Sequence, residues 1–248
     1  MTSTFDGNTA LVTGATAGIG YAIALELARQ GAEVVVHGRN ADRGAKAVQQ
    51  IENAGGTARF VSADLSDADD VRRLAAEAGD VDILVNNAGI YEFAGTFDTD
   101  DADFDAHFDT NLRAPYILVQ KLVPGMIERG RGSVVNISTV AASTPSADAG
   151  IYGASKAALD LLTKVWADEF GGAGVRVNAI APGPIETEGT SEMAEIVEGL
   201  GRTRALHRIG EPEEISQAVA FIASPAASYI NGVVLPVDGG AQAIRPVA

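Results

Sequence analysis

Thr13-Gly14-Ala15-Thr16-Ala17-Gly18-Ile19-Gly20 is the stretch of sequence that decides the fold. It follows a short apolar segment and leads into one where Ile19, Ile23 and Leu27 recur at helical spacing. The three glycines allow a tight turn, a close backbone approach to a pyrophosphate, and close packing of helix on strand. The helix N-terminus then points at the negative charge. An ordinary strand-to-helix turn would also explain the glycines, so the rest of the chain must decide.

Strand-like and helix-like segments alternate along the chain. Apolar residues recur at helical spacing between the strands, as in Leu159, Leu162 and Trp166. Seven short segments rich in Val and Ile predict buried parallel strands: Thr9–Thr13, Glu33–His37, Ala58–Ser62, Ile83–Asn86, Ser133–Ile137, Arg176–Ile180 and Val233–Val237. This order predicts an α/β fold, a doubly wound (Rossmann) parallel sheet with helices on both faces, in a single domain over residues 1–248. Ligands of such sheets bind beyond the carboxyl ends of the strands.

The composition argues against several classes of protein. The chain contains no cysteine, so disulfides, thiol nucleophiles and cysteine-ligated metals are excluded. Its formal net charge of −15 disfavours a nucleic-acid partner, because phosphate binding needs clustered Lys and Arg. Met1–Val12 carries no signal-like pattern and no long apolar run occurs, so we expect a cytoplasmic protein without a membrane partner. His37, His107 and His207 are far apart, which predicts no metal site and surface or helix-face positions for them.

Further motifs follow the predicted strands in order. Asp64-Leu65 follows the third strand, Asn86-Asn87-Ala88-Gly89 ends the fourth, Pro182-Gly183 follows the sixth, and Val237-Asp238-Gly239-Gly240 ends the seventh. With the glycine spacing after a threonine, these motifs resemble the short-chain dehydrogenase/reductase family over nearly the whole chain. The resemblance implies carbonyl/alcohol oxidoreduction with a nicotinamide dinucleotide. It assigns to the cofactor Gly14, Thr16, Gly18, Ile19, Gly20, Asp64, Leu65, Asn87, Ala88, Gly89, Pro182, Gly183, Ile185 and Thr187, together with Tyr152 and Lys156.

The end of the second predicted strand indicates which nicotinamide cofactor is used. A site that prefers NAD places a carboxylate about twenty residues past the glycines, against the ribose 2′-hydroxyl. The family's usual acid aligns here with Gly38, and Arg39 can pair with a 2′-phosphate. NADP(H) is therefore the expected cofactor. NAD(H) stays possible, because Asp42 could serve a ribose hydroxyl, and Thr16 and Ala17 replace the basic residue that many NADP-using relatives carry there.

Tyr152-Gly153-Ala154-Ser155-Lys156 places Tyr152 and Lys156 at i and i+4, on one face of a predicted helix. A fixed ammonium, together with a positive nicotinamide, would lower the pKa of the tyrosine toward the working pH. Tyr152 is therefore the expected acid/base. Lys156 is expected to tune the pKa of Tyr152 and to bind the nicotinamide ribose.

The family resemblance implies two further catalytic residues. It places a hydroxyl thirteen residues before the tyrosine, at Thr139, whereas Ser138 lies one residue earlier. Adjacent residues of an extended segment point to opposite sides, so one hydroxyl should orient the substrate oxygen, and the register favours Thr139 over Ser138. Asn111 matches the family's asparagine that kinks its helix and supports a proton-relay water near the lysine.

The segment from Glu188 to Arg208 is predicted to cover a small-molecule substrate. Four of its residues have helical spacing and could line an apolar pocket: Met193, Ile196, Val197 and Leu200. The segments Tyr91–Phe93 and Pro145–Asp148 are expected to flank the same cavity. No motif names the substrate itself.

Three kinds of function stay open at the level of the sequence. A small free carbonyl or alcohol is favoured as the substrate. A 3-oxoacyl-carrier-protein reductase is an alternative, with Arg129 and Arg131 as cations that could receive the acidic carrier, although the acidic chain would repel it. A dinucleotide-binding protein without turnover is the alternative from another class.

The family usually forms tetramers with 222 symmetry. The pieces that would pair are the helices within Asp101–Arg129 and Ala154–Phe170, and the final strand region, Val233–Gly240. Five residues carry more apolar surface than one helix stripe needs, although some of them must face the sheet: Phe104, Phe108, Leu162, Trp166 and Phe170. A homotetramer is therefore expected.

Overall fold

The structure is a computed structural model that describes residues 4–188 and 194–241, without the side chains of Ala194 and Ile196. Seven parallel strands form one sheet in the order β3-β2-β1-β4-β5-β6-β7. The strands are β1 (Thr9–Val12), β2 (Glu33–Gly38), β3 (Thr57–Ser62), β4 (Ile83–Asn86), β5 (Gly132–Ile137), β6 (Val175–Pro182) and β7 (Val234–Val237). All seven predicted strands are confirmed, with ends that differ by at most two residues.

In the described residues, eight α-helices connect the strands or pack against the sheet. They are α1 (Gly18–Arg29), α2 (Ala41–Asn53), α3 (Ala68–Ala78), α4 (Asp101–Phe108), α5 (Ala114–Glu128), α6 (Gly150–Gly171), α7 (Ala194–Arg202) and α8 (Pro212–Ala223). A π-helical turn at Asp109–Arg113 joins α4 to α5, so the two run on as one interrupted helix. That turn contains Asn111, for which the family resemblance implies a kink.

The alternation of side chains along each strand divides the apolar core into two layers. In β1, Ala10 and Val12 face the layer covered by α1, α2 and α8. Leu11 faces the other layer, which is covered by α3, α5 and α6. Because both faces are covered, the strands read as continuous apolar runs. The prediction of helices on both faces of a single-domain sheet is confirmed.

The strand order reverses between β1 and β4, which are hydrogen-bonded neighbours in the sheet. The chain leaves β1 toward β2 on one side and leaves β4 toward β5 on the other. This reversal opens a crevice beyond the carboxyl ends of β1 and β4, the usual place for a dinucleotide. The segments that follow these strands, at residues 13–20 and 87–99, therefore border the candidate site.

One expectation from the sequence needs correction. His37 is buried at 2% exposure and lies on a strand, so it is neither a surface nor a helix-face histidine, whereas His107 is buried on the helix α4. Trp166 is buried and packs against Tyr116 with ring centroids 5.9 Å apart, so it is one of the apolar helix residues that face inward. Met193 lies outside the described residues, as does the side chain of Ile196. Across the described ranges, no helix is long and apolar enough to span a membrane.

Candidate active site

The glycine loop is closed by contacts that leave no room for side chains. Gly14 has a positive φ of 63°, and a Cβ atom there would lie 3.0 Å from Ala88 Cα. A Cβ atom on Gly20 would collide with the Gly14 carbonyl and with the Asn87 amide. Asn87 Nδ2 donates to Thr13 O at 2.9 Å and fixes the loop to the end of β4. Only glycine fits at both loop positions.

The amino end of α1 offers free backbone donors beside this loop. Ala17, the N-cap residue, provides no side-chain cap, so the first amides of the helix keep their capacity to bind an anion. A Cβ atom on Gly18 would lie 3.4 Å from the Thr187 side chain, and both residues line a groove of about 430 Å³. Gly14, Gly18, Ile19 and Gly20 thus lie together, as predicted for a pyrophosphate site.

His37 is a residue of this loop that the sequence interpretation missed. Its Nδ1 accepts a hydrogen bond from the Gly14 amide at 3.2 Å. Its Nε2 therefore carries the proton and donates to Ala63 O at 3.1 Å. Burial lowers the pKa of His37, so the neutral ring that this arrangement requires is also the favoured form. A lone histidine in an apolar strand carries no sequence signal for such a role.

At the end of β2, the Thr16 side chain occupies the space next to Gly38, where the acid of NAD-preferring sites aligns. A Cβ atom on Gly38 would come within 2.6 Å of Thr16 Cγ2, so Thr16 fills the space of a side chain at position 38. Arg39 is exposed beside this point, and its charge lowers the pKa of Asp64, after the hydrogen bonds from Ser66. The structure therefore brings together Thr16, Arg39 and Asp64, with Leu65 buried behind Asp64.

Asn111 is buried and organises the crevice beyond β4. Its Oδ1 accepts from Ile90 N at 2.9 Å, and its Nδ2 donates to Ile90 O at 3.0 Å and to Ser155 Oγ at 3.0 Å. The π-helical turn thereby ties the loop after β4 to α6. A Cβ atom on Gly89 would lie 3.0 Å from Asn111 Oδ1 and 3.2 Å from Lys156 Nζ, so these three residues converge.

Lys156 is buried one helical turn after Tyr152 in α6. Its Nζ donates to Ile137 O at 2.8 Å, at the carboxyl end of β5. Burial lowers the pKa of Lys156 to about 8, against the opposing effect of the Asp160 carboxylate. The ammonium therefore loses its proton at a lower pH than that of an exposed lysine.

Tyr152 meets the hydroxyl of Thr139, whose backbone is extended at the end of β5. Burial raises the pKa of Tyr152, whereas the Thr139 side chain acts by hydrogen bonding to lower it. This differs from the expectation that Lys156 lowers the pKa of Tyr152: in the protein alone Lys156 makes no such contribution, since its Nζ is turned to the Ile137 carbonyl. A positively charged nicotinamide is the other group that would favour the phenolate.

Ser138 points away from the tyrosine, as the alternation of an extended segment requires. Its buried Oγ lies near Asp160 and lowers the pKa of that carboxyl, without a hydrogen bond of normal geometry. Burial is the larger effect and raises the pKa of Asp160. Thr139 and Ser138 thus serve different neighbours, and Asp160 is a second buried group that the sequence interpretation missed.

The segment after β6 returns toward the glycine loop. A Cβ atom on Gly183 would lie 2.8 Å from Asp238 Cα, which packs this turn onto the residue after β7. Ile185 is buried and pairs with Gly210, while Thr187 reaches Gly18. The predicted nicotinamide-side residues from Pro182 to Thr187 therefore border the same crevice as the glycines.

These features fit a dinucleotide that runs along the carboxyl edge of the sheet. The glycine cradle and the uncapped α1 can take a pyrophosphate, and the tyrosine and lysine lie at the β4–β5 end. Residues 4–188 and 194–241 contain no group of three or more His, Asp and Glu side chains suited to a metal ion. The fold and site define a nicotinamide-dependent oxidoreductase with a tyrosine and a lysine at its centre.

Comparison with known proteins places the chain in a family. The model of the family described as enoyl-(acyl carrier protein) reductase matches residues 14–242. The 3-oxoacyl-[acyl-carrier-protein] reductase of Thermotoga maritima is 36% identical over 95% of this chain and 98% of its own length. The chain belongs to the short-chain dehydrogenase/reductase family, and it is an NAD(P)-dependent oxidoreductase.

Solved structures agree with this assignment. A short-chain dehydrogenase/reductase family protein is 52% identical, with a TM-score of 0.92 over 97% of this chain and 100% of its own. A 3-oxoacyl (acyl-carrier-protein) reductase from Agrobacterium tumefaciens with NADP bound is 34% identical, with a TM-score of 0.91 over 96% of each chain. NADP or NADPH is also bound in three other similar structures.

Proposed function

We propose that this protein uses NADP(H) in preference to NAD(H) and interconverts a small free carbonyl compound and its alcohol. The observation that carries the proposal is the convergence of Tyr152, Thr139, Lys156 and Asn111 at the carboxyl ends of β4 and β5, next to the glycine cradle. When bound, the reduced nicotinamide supplies a hydride, the two-electron reductant of the carbonyl carbon, and is itself oxidised.

Each residue has a distinct part in this reaction. Tyr152 donates the proton that the carbonyl oxygen gains, and takes it back in the reverse direction. Thr139 donates a hydrogen bond to the same oxygen and orients it. Lys156 holds the nicotinamide ribose through its ammonium group. Asn111 fixes the Ile90 backbone and α6 and supports the return of a proton to the site.

The test is a panel of ketones and alcohols offered with each nicotinamide and followed by nicotinamide absorbance. Tyr152→Phe should lower kcat by about a hundredfold or more and leave cofactor binding intact, because only the proton donor is removed. Thr139→Ala should lower kcat/KM much more than Ser138→Ala does. Full activity of Tyr152→Phe, or the reverse order of the two hydroxyl variants, would contradict these roles.

The preference for NADP(H) is supported by the space at the end of β2. Thr16 fills the position of an acid at residue 38, and the exposed Arg39 is free of a carboxylate partner at salt-bridge distance within the described residues. Arg39→Ala should weaken NADPH binding by about tenfold or more and leave NADH binding nearly unchanged. Equal losses for both cofactors would contradict the preference.

A small substrate is favoured over an acyl group on a carrier protein by the positions of two arginines. Arg129 lies within 3.2 Å of Asp80 and 3.4 Å of Asp82, and Arg131 lies within 3.4 Å of Asp82. Both precede β5, so they lie at the amino edge of the sheet, opposite Tyr152. Reduction of a carrier-bound acyl group is the second candidate, favoured by the similarity to 3-oxoacyl-carrier-protein reductases. Higher kcat/KM for an acyl-carrier-protein substrate than for small ketones would establish it.

A homotetramer is the proposed assembly. In the described segments expected to pair, the exposed large apolar side chains are Phe104 on α4, Tyr116 and Ile127 on α5, and Leu161 and Val165 on α6. A light-scattering mass near the 25.5 kDa of one chain, with full activity, would contradict the tetramer. The cytoplasmic location expected from the sequence stays a prediction.

A further inference from the structure

Two aromatic side chains from the loop after β4 stand against the ring of Tyr152. The ring centroids of Tyr91 and Tyr152 are 6.5 Å apart at an interplanar angle of 64°, and those of Phe93 and Tyr152 are 6.0 Å apart at 77°. Both are edge-to-face arrangements, the geometry that aromatic rings favour. Tyr91 is 39% exposed and Phe93 51% exposed, so each also presents ring surface away from the core. An aromatic wall therefore adjoins the hydroxyl that is proposed to protonate the substrate.

The backbone that carries this wall is fixed at three points. Asn111 binds both backbone groups of Ile90, as described above. The Glu92 amide donates to His107 Nε2 at 3.2 Å, and the buried His107 ring donates through Nδ1 to Asp103 O at 2.8 Å. Ala94 pairs with Ala149 in the loop that precedes α6. The rings are thus held in place by the fold, as in a preformed binding site.

The loops that flank the wall carry charge of one sign. The two loops that flank Tyr152, residues 90–99 and 139–149, contain the acids Glu92, Asp98 and Asp148 and contain no Lys, Arg or His. All three carboxylates are exposed. A carboxylate or phosphate on the substrate would be repelled here, and these loops provide no cation to pair with it.

We infer that Tyr91 and Phe93 form a binding surface for a neutral substrate that carries an aromatic group next to its carbonyl, such as an aryl ketone or the matching benzylic alcohol. The inference rests on the proposed function, since it concerns the substrate of the same site. An aryl group can extend the edge-to-face cluster that Tyr152 already makes, whereas a short aliphatic chain gains less from it. Anionic sugar acids and phosphorylated carriers are disfavoured by the flanking carboxylates.

The experiment compares three methyl ketones with NADPH: acetophenone, para-acetylbenzoate and butanone. The wild-type protein should give kcat/KM values for acetophenone about tenfold above those for butanone, through ring contacts, and about tenfold above para-acetylbenzoate, through charge repulsion. Glu92→Gln combined with Asp148→Asn should raise the value for para-acetylbenzoate and leave acetophenone unchanged. The three substrates thus separate aromatic contact from charge.

Phe93→Ala should lower kcat/KM for acetophenone by about tenfold, mainly by raising KM. The kcat/KM for butanone should change by less than about twofold. Phe97→Ala is the matched control, because Phe97 lies in the same loop and is fully exposed, at 102%. It should alter neither value, and thermal melting of both variants checks that the fold is kept. Equal losses for both ketones, or none, would overturn the aromatic surface while the proposed function stands. If the wild-type protein reduces no carbonyl with either nicotinamide, the proposed function fails and the inference fails with it.

Discussion

The two halves of the sheet build their parts of the site differently. In the half formed by β1 to β3, glycines leave space where side chains would otherwise stand. In the half formed by β4 to β6, buried polar side chains form hydrogen bonds with one another. Gly14, Gly20 and Gly38 each lie too close to a neighbour for a Cβ atom. In the other half, Asn86 Nδ2 donates to Asn136 Oδ1 at 2.8 Å, and Asn136 Nδ2 donates to Thr163 Oγ1 at 2.8 Å.

The difference follows from what each half must hold. A phosphate chain needs close approach to backbone amides, which any side chain would prevent. A proton-transfer site needs side chains held at fixed angles, and buried hydrogen-bonded amides provide this because an unsatisfied alternative costs free energy. Substitutions that add side-chain atoms should therefore impair stability and cofactor binding in the first half. Substitutions that remove hydrogen bonds should impair stability in the second half.

Gly20→Ala should give the largest effect. Its Cβ atom would meet the backbone carbonyl of Gly14 and the Asn87 amide, and a backbone atom cannot move aside as a flexible side chain can. We expect a loss of about 3 kcal/mol or more in the free energy of unfolding, with loss of cofactor binding. Gly172→Ala is the control, since a Cβ atom there meets nothing within 4 Å. Denaturant unfolding and cofactor titration measure the stability and the cofactor binding of both variants. If Gly20→Ala behaves like the wild type, the glycines do not shape the first half of the site.

Asn136→Ala should come next. It removes the hydrogen-bond acceptor of Asn86 and the hydrogen-bond donor to Thr163, and all three residues are buried. The hydrogen bonds that connect β4, β5 and α6 through Asn136 are therefore lost. The expected loss is about 2–4 kcal/mol, from unsatisfied polar groups and a small cavity. The exposed Asn53→Ala should lose less than about 0.5 kcal/mol. If chemical denaturation shows equal losses for the two variants, the buried amides do not stabilise this half.

His37→Gln tests an exception to this contrast, because His37 is a buried polar side chain that stabilises the half of the sheet with the glycines. The loss of its hydrogen bonds to Gly14 and Ala63 should cost about 1–2 kcal/mol at neutral pH. Burial lowers the pKa of His37 in the folded state, so the unfolded chain binds a proton first as the pH falls below 6.5. Wild-type stability should therefore be complete above that pH and fall below it. Glutamine does not titrate, so unfolding measured from pH 7 to pH 5 should fall less steeply in the variant; parallel curves would contradict this role.

The sequence predicted the features that repeat or have fixed spacing, and missed those that depend on distant packing. The seven strands and the helical spacing of Tyr152 and Lys156 follow from local periodicity, whereas the position of Thr139 beside the tyrosine was implied by the family resemblance. His37 was misjudged, because whether an imidazole ring is covered depends on elements far away in the chain. The Tyr91–Phe93 segment lies against Tyr152, in keeping with its predicted place beside the site, but the angles of the rings could come only from the structure.

Asp160→Asn should have the smallest effect and the most specific one. The Asp160 carboxylate favours the charged form of Lys156, whose pKa is about 8 because burial opposes that charge. Without the carboxylate, the pKa of Lys156 falls further, and the ammonium that the mechanism requires is lost at a lower pH. The alkaline limb of kcat/KM against pH, which reports groups of the free enzyme, should therefore move to lower pH, while kcat/KM on the acid side stays close to wild type. Asp168→Asn, an exposed acid on the same helix, should leave the limb in place. If Asp160 has only a structural role, its replacement should lower the melting temperature, or the activity at every pH, without moving the alkaline limb. That result would mean that Asp160 stabilises the catalytic half of the sheet but does not affect the protonation of Lys156.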